Sequence, residues 1–303
     1  MKINSAIVNG ALGSVGLALV EKLIERGIKT YAIVYPGDSR IVNISPKAEV
    51  FQCDMREIKR LKDLINEPVD AFFHLAWMGT IGPDRNNMFL QTENIRCAIM
   101  SVEAAAELKC NVYVGVGSQA EHGRIEGFVK PESPCFPVTG YGMAKLCAGE
   151  MTRFMCQKLG LRHVWARILS VYGPNDGPLS VTSVIMDKLF AGEKPSLTAG
   201  EQKWDYLYAD DAAEGLICMA ENGKDGAIYP LGSGKVRKLR EYFEIIRDTI
   251  DPSLPLGFGE IPYEPNQAMH LQADISTLQQ DTGFMPKMSF EEGIRKTVSR
   301  RNR

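Results

Sequence analysis

A glycine-rich turn near the start of the chain limits most strongly what this sequence can fold into. The run Ala6-Ile7-Val8 predicts a short buried strand, and apolar residues then recur at helical spacing as far as Gly27. Glycines stand at every third position of the turn between them, which lets the backbone turn tightly and brings helix N-terminal amide groups close to an anion. A strand, a glycine-rich turn and a helix in this order predict a dinucleotide-binding site. We expect the cofactor to contact Gly10, Leu12, Gly13, Ser14, Val15 and Gly16.

Strands and helices alternate along the first half of the chain. After the first strand, the predicted strands cover residues 30–34, 50–53, 69–76, 111–116 and 161–169. This alternation predicts an α/β fold, a Rossmann-type doubly wound parallel sheet with right-handed crossovers. The pattern loosens in the second half, where prolines separate short segments. We therefore expect an NAD(P)-binding domain over residues 1–170, to which a segment at about 200–235 returns, and a smaller C-terminal substrate-binding lobe made mainly of residues 171–303.

Composition narrows the class of partner. The formal net charge is -2 and charged residues make up 24% of the chain, which argues against a nucleic-acid or membrane-surface protein. The 7 cysteines form no Cys-x-x-Cys pair and no cluster of metal ligands occurs, so we expect buried free thiols and no metal. Apolar runs fall short of the ~20 residues of a membrane span. The chain enters its first strand without a signal peptide, and we expect a cytoplasmic protein.

The turn after the second strand bears on the choice of cofactor. In such folds this turn faces the adenosine ribose, where an acidic side chain favours NAD. Here Tyr35 follows the strand, and Ser39 and Arg40 come shortly after it. A guanidinium suits the 2′-phosphate of NADP, whereas Asp38 argues for NAD, and an ordinary polar turn is also open. We expect NADP, with NAD possible.

Two polar residues at strand ends each have more than one interpretation. Asp54 follows the third strand and has, with Glu57, the spacing of a helix capping box; an acid here can also contact adenine. His74 lies in the apolar run of the fourth strand. We expect His74 to be a core histidine rather than a ligand.

A serine, a tyrosine and a lysine carry the candidate chemistry. Tyr141 and Lys145 lie four residues apart, on one face of a predicted helix at 139–159, and Ser118 follows the fifth strand. A phenol has a pKa of about 10, so proton transfer near neutral pH needs a nearby cation, which Lys145 can supply. Ser118 can hydrogen-bond the reacting oxygen. Alone, the Tyr-Lys pair is better explained by chance on an amphipathic helix; the rest of the chain decides in favour of this triplet.

Together these motifs resemble those of the extended short-chain dehydrogenase/reductases, the NAD(P)-dependent nucleotide-sugar epimerase/dehydratase family. The resemblance covers nearly the whole chain and follows the order of the family's motifs. They are Gly10-x-x-Gly13-x-x-Gly16, Asp54-Met55, His74-Leu75-Ala76-Trp77, Asn94, Ser118 five residues before Gly123, Tyr141-x-x-x-Lys145, Tyr172-Gly173-Pro174 and the run from Asp205 to Asp211.

The resemblance implies hydride transfer at a sugar carbon, with the cofactor carrying the hydride. It implies that Tyr141 exchanges a proton with the sugar oxygen, that Lys145 lowers the pKa of Tyr141 and holds the nicotinamide ribose, and that Ser118 hydrogen-bonds the same oxygen. Further implied cofactor contacts are Asp54, Met55, Leu75, Ala76, Trp77, Tyr141 and Lys145. Implied substrate contacts are Met78, Gln119, Ser170 and Lys203.

The resemblance also implies a homodimer, in which the helices at 88–108 and 141–158 pair with those of a second copy. The alternative is that the residues of this seam simply belong to the core. The candidate seam residues are Met88, Cys97, Met100, Met143, Cys147 and Met151.

Departures from the family pattern refine the expected reaction. The family's dehydratases follow the catalytic residue with an Asp-Glu pair, whereas Gln119 and Ala120 stand here and Glu121, one position further, is expected to point away; a dehydratase is therefore not expected. Ser170 and Trp204 replace an Asn and an Arg of the substrate site. We expect a reductase of a nucleotide-linked 4-keto-6-deoxy sugar, with a nucleotide-sugar epimerase that holds NAD tightly as the alternative. A third interpretation is a non-catalytic NADP-sensing regulator, against which the complete triplet argues.

Overall fold

Strands and helices alternate through most of the chain. The computed structural model describes residues 1–265 and 267–301, so Asn266 and the last two residues of the predicted lobe lie outside it. The strands in chain order are β1 (Ser5–Asn9), β2 (Lys29–Val34), β3 (Glu49–Gln52), β4 (Ala71–His74), β5 (Val112–Ser118), β6 (Gly127–Val129), β7 (Arg162–Ile168), β8 (Ser170–Tyr172), β9 (Ser196–Leu197), β10 (Lys203–Trp204), β11 (Tyr206–Tyr208), β12 (Ala227–Leu231), β13 (Arg237–Lys238), β14 (Gly257–Phe258) and β15 (His270–Ala273). The α-helices are α1 (Ser14–Glu25), α2 (Leu61–Leu64), α3 (Met88–Glu107), α4 (Gly140–Leu159), α5 (Val181–Phe190), α6 (Ala209–Asn222), α7 (Leu239–Ile250), α8 (Ser276–Thr282) and α9 (Phe290–Arg301). Short 3₁₀ helices lie at Ser39–Asn43, Met55–Arg60, Pro83–Asn86 and Gln119–His122.

Seven parallel strands form the central sheet, in the order β12-β7-β5-β4-β1-β2-β3. The predicted Rossmann-type, doubly wound α/β fold is confirmed. Alternate residues of β1 face opposite layers: Ala6 and Val8 join the apolar core that contains α1 and α6, whereas Ile7 joins the one that contains residues of α3 and α4. The strand order reverses between β1 and β4, which leaves a crevice at the carboxyl ends of these strands.

A smaller sheet and further helices come mainly from the second half of the chain. This sheet has the order β13-β10-β15-β6, and two short parallel pairs, β8 with β11 and β9 with β14, accompany it. Residues of α5, α7 and α9 share an apolar cluster in which the rings of Tyr242 and Phe290 lie 4.5 Å apart. β6 comes from the loop that follows Ser118, so that loop is tied to the second half of the chain. The division into two units near residue 170 stays a prediction.

The structure differs from the prediction after the third strand. The helix that the Asp54–Glu57 spacing predicts begins as a 3₁₀ helix, Met55–Arg60, and only the four residues of α2 that follow are α-helical. Glu57, inside the 3₁₀ helix, adopts the non-helical angles φ -113° and ψ 18°. The capping box between Asp54 and Glu57 does not form. The Asp54 carboxylate accepts instead from the backbone amide of Arg56 at 2.9 Å and from the Arg56 guanidinium.

His74 agrees with the expected core, whereas only three of the cysteines, Cys53, Cys97 and Cys156, are buried as expected. His74 is buried, and its Nδ1 accepts from Nδ2 of Asn9 at 3.0 Å. Burial lowers the pKa of His74 to about 3, so the ring is neutral and acts as a core residue. All seven cysteines are free. Among the described residues, no helix combines the length and apolarity that crossing a membrane requires; the cytoplasmic location stays a prediction.

Candidate active site

A cleft of about 450 Å³ opens at the carboxyl ends of β1, β2 and β4, where the strand order reverses. Open α/β sheets bind nucleotides in such a crevice. The predicted residues in its wall are Gly10, Leu12, Gly13, Tyr35, Arg40, Asp54, Met55, Leu75, Ala76, Trp77 and Met78. Sequence reasoning thus found most of the wall of this cleft.

Two glycines of the turn pack too closely against neighbouring backbone to hold side chains. Gly10 has a φ of +92°, and a Cβ there would lie 2.5 Å from the backbone nitrogen of Ala76. A Cβ on Gly16 would lie 2.3 Å from the carbonyl oxygen of Gly10. The turn therefore needs glycine at both positions to close against β4 and α1.

The first turn of α1 has no side-chain cap. Gly13 is its N-cap, so no side-chain oxygen competes for the first amide groups. The Ser14 hydroxyl donates to Oδ1 of Asp176 at 3.0 Å, which ties the turn to the second half of the chain, and Val15 is half-buried. An uncapped helix N-terminus behind a glycine turn in this cleft fits the pyrophosphate of a nicotinamide dinucleotide.

The adenosine end of the cleft carries two ion pairs. Asp38 accepts from Nε of Arg40 at 3.0 Å and from its Nη2 at 2.7 Å, and this pairing lowers the pKa of Asp38 to about 2. Asp54 is paired in the same way with Arg56. Ser39 is exposed at the start of a 3₁₀ helix, outside the cleft wall. Each guanidinium is therefore neutralised by an adjacent carboxylate.

Ser118 and Tyr141 meet where β5 ends and α4 begins. Thr139 caps α4 by accepting from the amide of Gly142 at 3.1 Å, and this fixes the first turn, which carries Tyr141. The Ser118 hydroxyl lies beside the Tyr141 phenol. Burial raises the pKa of Tyr141, while the neighbouring Ser118 hydroxyl and the positive charge of Arg85 lower it. The predicted serine and tyrosine are thus brought together.

Lys145 is buried one turn further along α4. Its Nζ donates to the carbonyl of Val116 at 2.7 Å and lies 3.8 Å from the centre of the Trp77 ring. The centre of the Tyr141 ring is 5.9 Å away. Burial lowers the pKa of Lys145 to about 7, against the opposing effect of the Glu121 charge. Burial therefore disfavours the charged form of Lys145.

Sequence reasoning missed Arg85, which lies beside the triplet. Its guanidinium carbon is 4.4 Å from the centre of the Tyr141 ring, and its Nη1 donates to the carbonyl of Thr80 at 2.6 Å. Gln91 holds the preceding loop by donating to the carbonyls of Gly79 at 2.9 Å and Asp84 at 3.0 Å. No sequence signal marks this arginine, because it stands in a single short 3₁₀ turn between β4 and α3, which has no periodic pattern.

Glu121 has a structural role that sequence reasoning missed. It is fully buried, and its Oε1 accepts from the backbone amide of Ser118 at 2.8 Å and from Nε1 of Trp165 at 3.1 Å. Its Oε2 accepts from Nε of Arg167 at 2.7 Å, so a buried ion pair supports Ser118. The Ser118-x-x-Glu121 spacing is that of a capping box, which does form and was the available signal.

Two further cavities share Trp204, and the smaller one includes Gln119, the residue after Ser118. The smaller, about 200 Å³, is lined in part by Arg85, Gln119 and Trp204; among the described residues no donor reaches Oε1 of Gln119, which is buried. The larger, about 580 Å³, shares Trp204 and contains Ser170, whose hydroxyl accepts from Nε1 of Trp204 at 2.7 Å. Lys203 is exposed and lines neither cavity, because consecutive strand residues face opposite sides and Trp204 takes the cavity side.

Comparison with known proteins shows the family of this chain. The sequence model of the NAD dependent epimerase/dehydratase family matches residues 6–232. The chain belongs to this family. The predicted resemblance, and with it the prediction of an enzyme, is confirmed.

Relatives whose names give different reactions align with nearly the whole of this chain. A putative UDP-glucose 4-epimerase of Methanocaldococcus jannaschii is 27% identical, with 97% of each chain covered. The dTDP-4-dehydro-6-deoxyglucose reductase of Escherichia coli is 22% identical over 97% of this chain and 96% of the reductase. The solved UDP-N-acetylglucosamine 4-epimerase from Methanobrevibacter ruminantium M1, in complex with UDP-N-acetylmuramic acid, has a TM-score of 0.88 at 23% identity, covering 100% of this chain and 99% of the other. The structural likeness shows the fold.

Proposed function

We propose that this enzyme acts on a nucleotide sugar, with Tyr141 exchanging a proton with the oxygen of a sugar carbon that undergoes hydride transfer. The observation that carries this proposal is the placement of the Ser118 hydroxyl beside the Tyr141 phenol. The pair lies between the dinucleotide cleft and the smaller cavity. Trp77 of the cleft packs edge-on against Tyr141, with 6.2 Å between the ring centres, and Gln119, next to Ser118, lines the smaller cavity.

The side chains of the protein transfer the proton, while a nicotinamide dinucleotide, when bound, supplies the hydride acceptor and donor. The Tyr141 hydroxyl takes the proton from a sugar hydroxyl or returns it to a ketone, so one group serves both directions. Ser118, beside that hydroxyl, would hydrogen-bond the same sugar oxygen, and Glu121 fixes the backbone of Ser118. Lys145, anchored on Val116, would hold the nicotinamide ribose of the cofactor. This positioning is the main contribution of the protein to the rate.

The larger cavity suits the nucleotide part of the substrate. Its wall combines aromatic and aliphatic side chains with a few hydroxyl and amide groups, which is the usual character of a small-molecule site. Trp204 borders both cavities, so a sugar in the smaller one and a nucleotide in the larger one would meet beside it.

Within this chemistry we place a 4-epimerase first and the predicted 4-keto-6-deoxy sugar reductase second. The Asp38–Arg40 pair favours NAD, and an epimerase retains its cofactor through a cycle without net redox. The reductase is kept as a candidate because the Escherichia coli reductase matches this chain over almost its whole length.

Product analysis separates the two activities. Purified protein is incubated with UDP-glucose or UDP-N-acetylglucosamine without added cofactor, and separately with dTDP-4-dehydro-6-deoxyglucose and NADH or NADPH. An epimerase yields a second sugar nucleotide with no net cofactor change, whereas a reductase consumes the reduced cofactor. If neither occurs with these or a wider panel of nucleotide sugars, the proposed function is wrong.

Asp38→Ala is expected to shift cofactor preference toward NADP by about tenfold, because a released Arg40 guanidinium is free for a charge-assisted bond to a 2′-phosphate. Thermal unfolding with NADH and with NADPH measures this, since the tighter ligand stabilises more. The wild type is expected to favour NADH. Asp248→Ala, which breaks the exposed pair with Arg247, is the control and leaves the preference unchanged. Stronger stabilisation of the wild type by NADPH would restore the predicted NADP preference.

We also propose that the enzyme is a homodimer built on α3 and α4. Both helices present exposed apolar side chains, which a second copy of the same surface would cover. Cys97, by contrast, is fully buried in the core, which is the alternative interpretation of that seam residue. The exposed residues of α3 and α4 are Met88, Phe89, Met143, Met151, Phe154 and Leu159.

Phe154→Glu is expected to convert the dimer into monomers, because it places a charge in an apolar interface. Light scattering after size-exclusion chromatography measures the mass. Met285→Glu changes another exposed apolar residue, outside these two helices, and is expected to leave the dimer intact. A wild type that is monomeric at micromolar concentration contradicts the proposal.

A further inference from the structure

Arg85 has a geometry that the proposed reaction leaves unexplained. Its guanidinium lies over the face of the Tyr141 ring, at 4.4 Å from the ring centre, and one of its nitrogens donates to the carbonyl of Thr80. In the described part of the chain, no carboxylate lies within ion-pair distance of it. Its positive charge is therefore directed at the tyrosine rather than neutralised by an acid.

The loop that carries Arg85 is held in place on two sides. Gln91 of α3 donates to two carbonyls of this loop. On the other side, Oδ1 of Asn86 accepts from the amide of Gly140, the residue before Tyr141, at 3.0 Å. The position of the guanidinium over Tyr141 is thus fixed by the same contacts that place the first turn of α4.

Two other titratable groups lie near Tyr141, one on α4 and one in the turn after β5. Lys145, on the same helix, is directed at Trp77 and Val116, and burial lowers its pKa to about 7. Glu121, from the turn after β5, acts in the opposite sense and raises the pKa of Tyr141. Arginine, in contrast, stays charged throughout the working pH range.

We propose that Arg85 is a positioning residue that stabilises the ionised form of Tyr141 and so shares with Lys145 the task of activating this phenol. A cation over the face of an aromatic ring is attracted to its electrons, and more strongly once the ring carries a phenolate charge. The inference rests on the proposed catalytic use of Tyr141, but its first test needs no substrate.

The test follows the ionisation of Tyr141 directly. Protein labelled with ¹³C at the tyrosine Cζ is titrated by NMR, and the signal missing from Tyr141→Phe identifies Tyr141. In Arg85→Gln the midpoint of this signal is expected to move to higher pH, so that the ionised fraction at a given pH falls about tenfold. Arg85→Lys keeps the charge and is expected to restore most of the wild-type midpoint.

A matched control is available in the second half of the chain. Arg240 also lies over an aromatic ring, 4.0 Å from the centre of Phe258, and donates to the carbonyl of Ala199. Arg240→Gln removes a cation with the same kind of contacts and is expected to leave the Tyr141 midpoint unchanged.

Kinetics then connect the ionisation to turnover. With any substrate that the wild type converts, the pH profile of kcat/KM for Arg85→Gln is expected to shift in the same direction as the NMR midpoint. An unchanged midpoint in Arg85→Gln overturns the inference, as does an equal shift in Arg85→Lys. A rise in KM alone, with midpoint and pH profile unchanged, would assign Arg85 to substrate binding and also overturn it. Absence of activity toward nucleotide sugars would refute the proposed function without affecting the NMR result.

Discussion

Tyr141→Phe is expected to lower kcat by about 10²–10⁴-fold, because it removes the group that exchanges the proton and a general acid or base contributes an effect of this size. The ring itself remains, with its edge-on contact to Trp77 and the Arg85 guanidinium over its face. The variant is therefore expected to fold normally and to bind the dinucleotide as the wild type does. Steady-state kinetics and calorimetric cofactor titration measure the two quantities on the same preparation.

The control for this variant is Tyr263→Phe. The Tyr263 hydroxyl accepts from the amide of Glu201 at 3.0 Å, an exposed contact outside the triplet, so its loss is expected to leave kcat unchanged. Full activity of Tyr141→Phe would remove Tyr141 from the mechanism. Loss of cofactor binding together with activity would show that the phenol acts mainly in binding.

The central sheet was predictable because its elements are long and regular in pattern. The buried strands are continuous apolar runs, and apolar residues repeat at helical spacing in the helices. Gly10 and Gly16 mark the turn between the first strand and the first helix. The short strands of the second half, such as β9, β10 and β13, span two residues each. Two residues carry no periodicity, so their pairing depends on distant contacts that local sequence does not encode.

The site divides in the same way. Ser118, Tyr141 and Lys145 were readable because each stands in a motif at the end or start of a regular element. Arg85 was not, since only the folded loop places it over Tyr141. For Glu121 the local capping spacing was visible, but its partner Arg167 lies 46 residues further along the chain, in β7. Charges that come together through tertiary packing are the part of the site that sequence patterns leave undefined.

Glu121→Ala is expected to destabilise the protein by about 3–5 kcal/mol, because it leaves the Arg167 guanidinium buried without its counter-charge. Glu121 is 0% exposed and Arg167 3%, so water cannot replace the lost carboxylate. The variant also loses the acceptor for the backbone amide of Ser118. Urea unfolding followed by circular dichroism measures the free energy, and kcat reports the displacement of Ser118.

Two further variants of the Glu121–Arg167 pair separate the effect of its charge from that of its shape, and a third variant, elsewhere, is the control. Glu121→Gln keeps an acceptor for the Ser118 amide but not the charge, so it is expected to lose stability yet retain more activity than Glu121→Ala. Glu121→Leu combined with Arg167→Met removes both charges and is expected to be less destabilised than the sum of the single changes. Glu150→Ala, which breaks the exposed pair with Arg153, is the control with little expected change. Additive effects of Glu121→Leu and Arg167→Met would show that the two groups do not interact, and the support of Ser118 would then come from the hydrogen bonds of Glu121 alone.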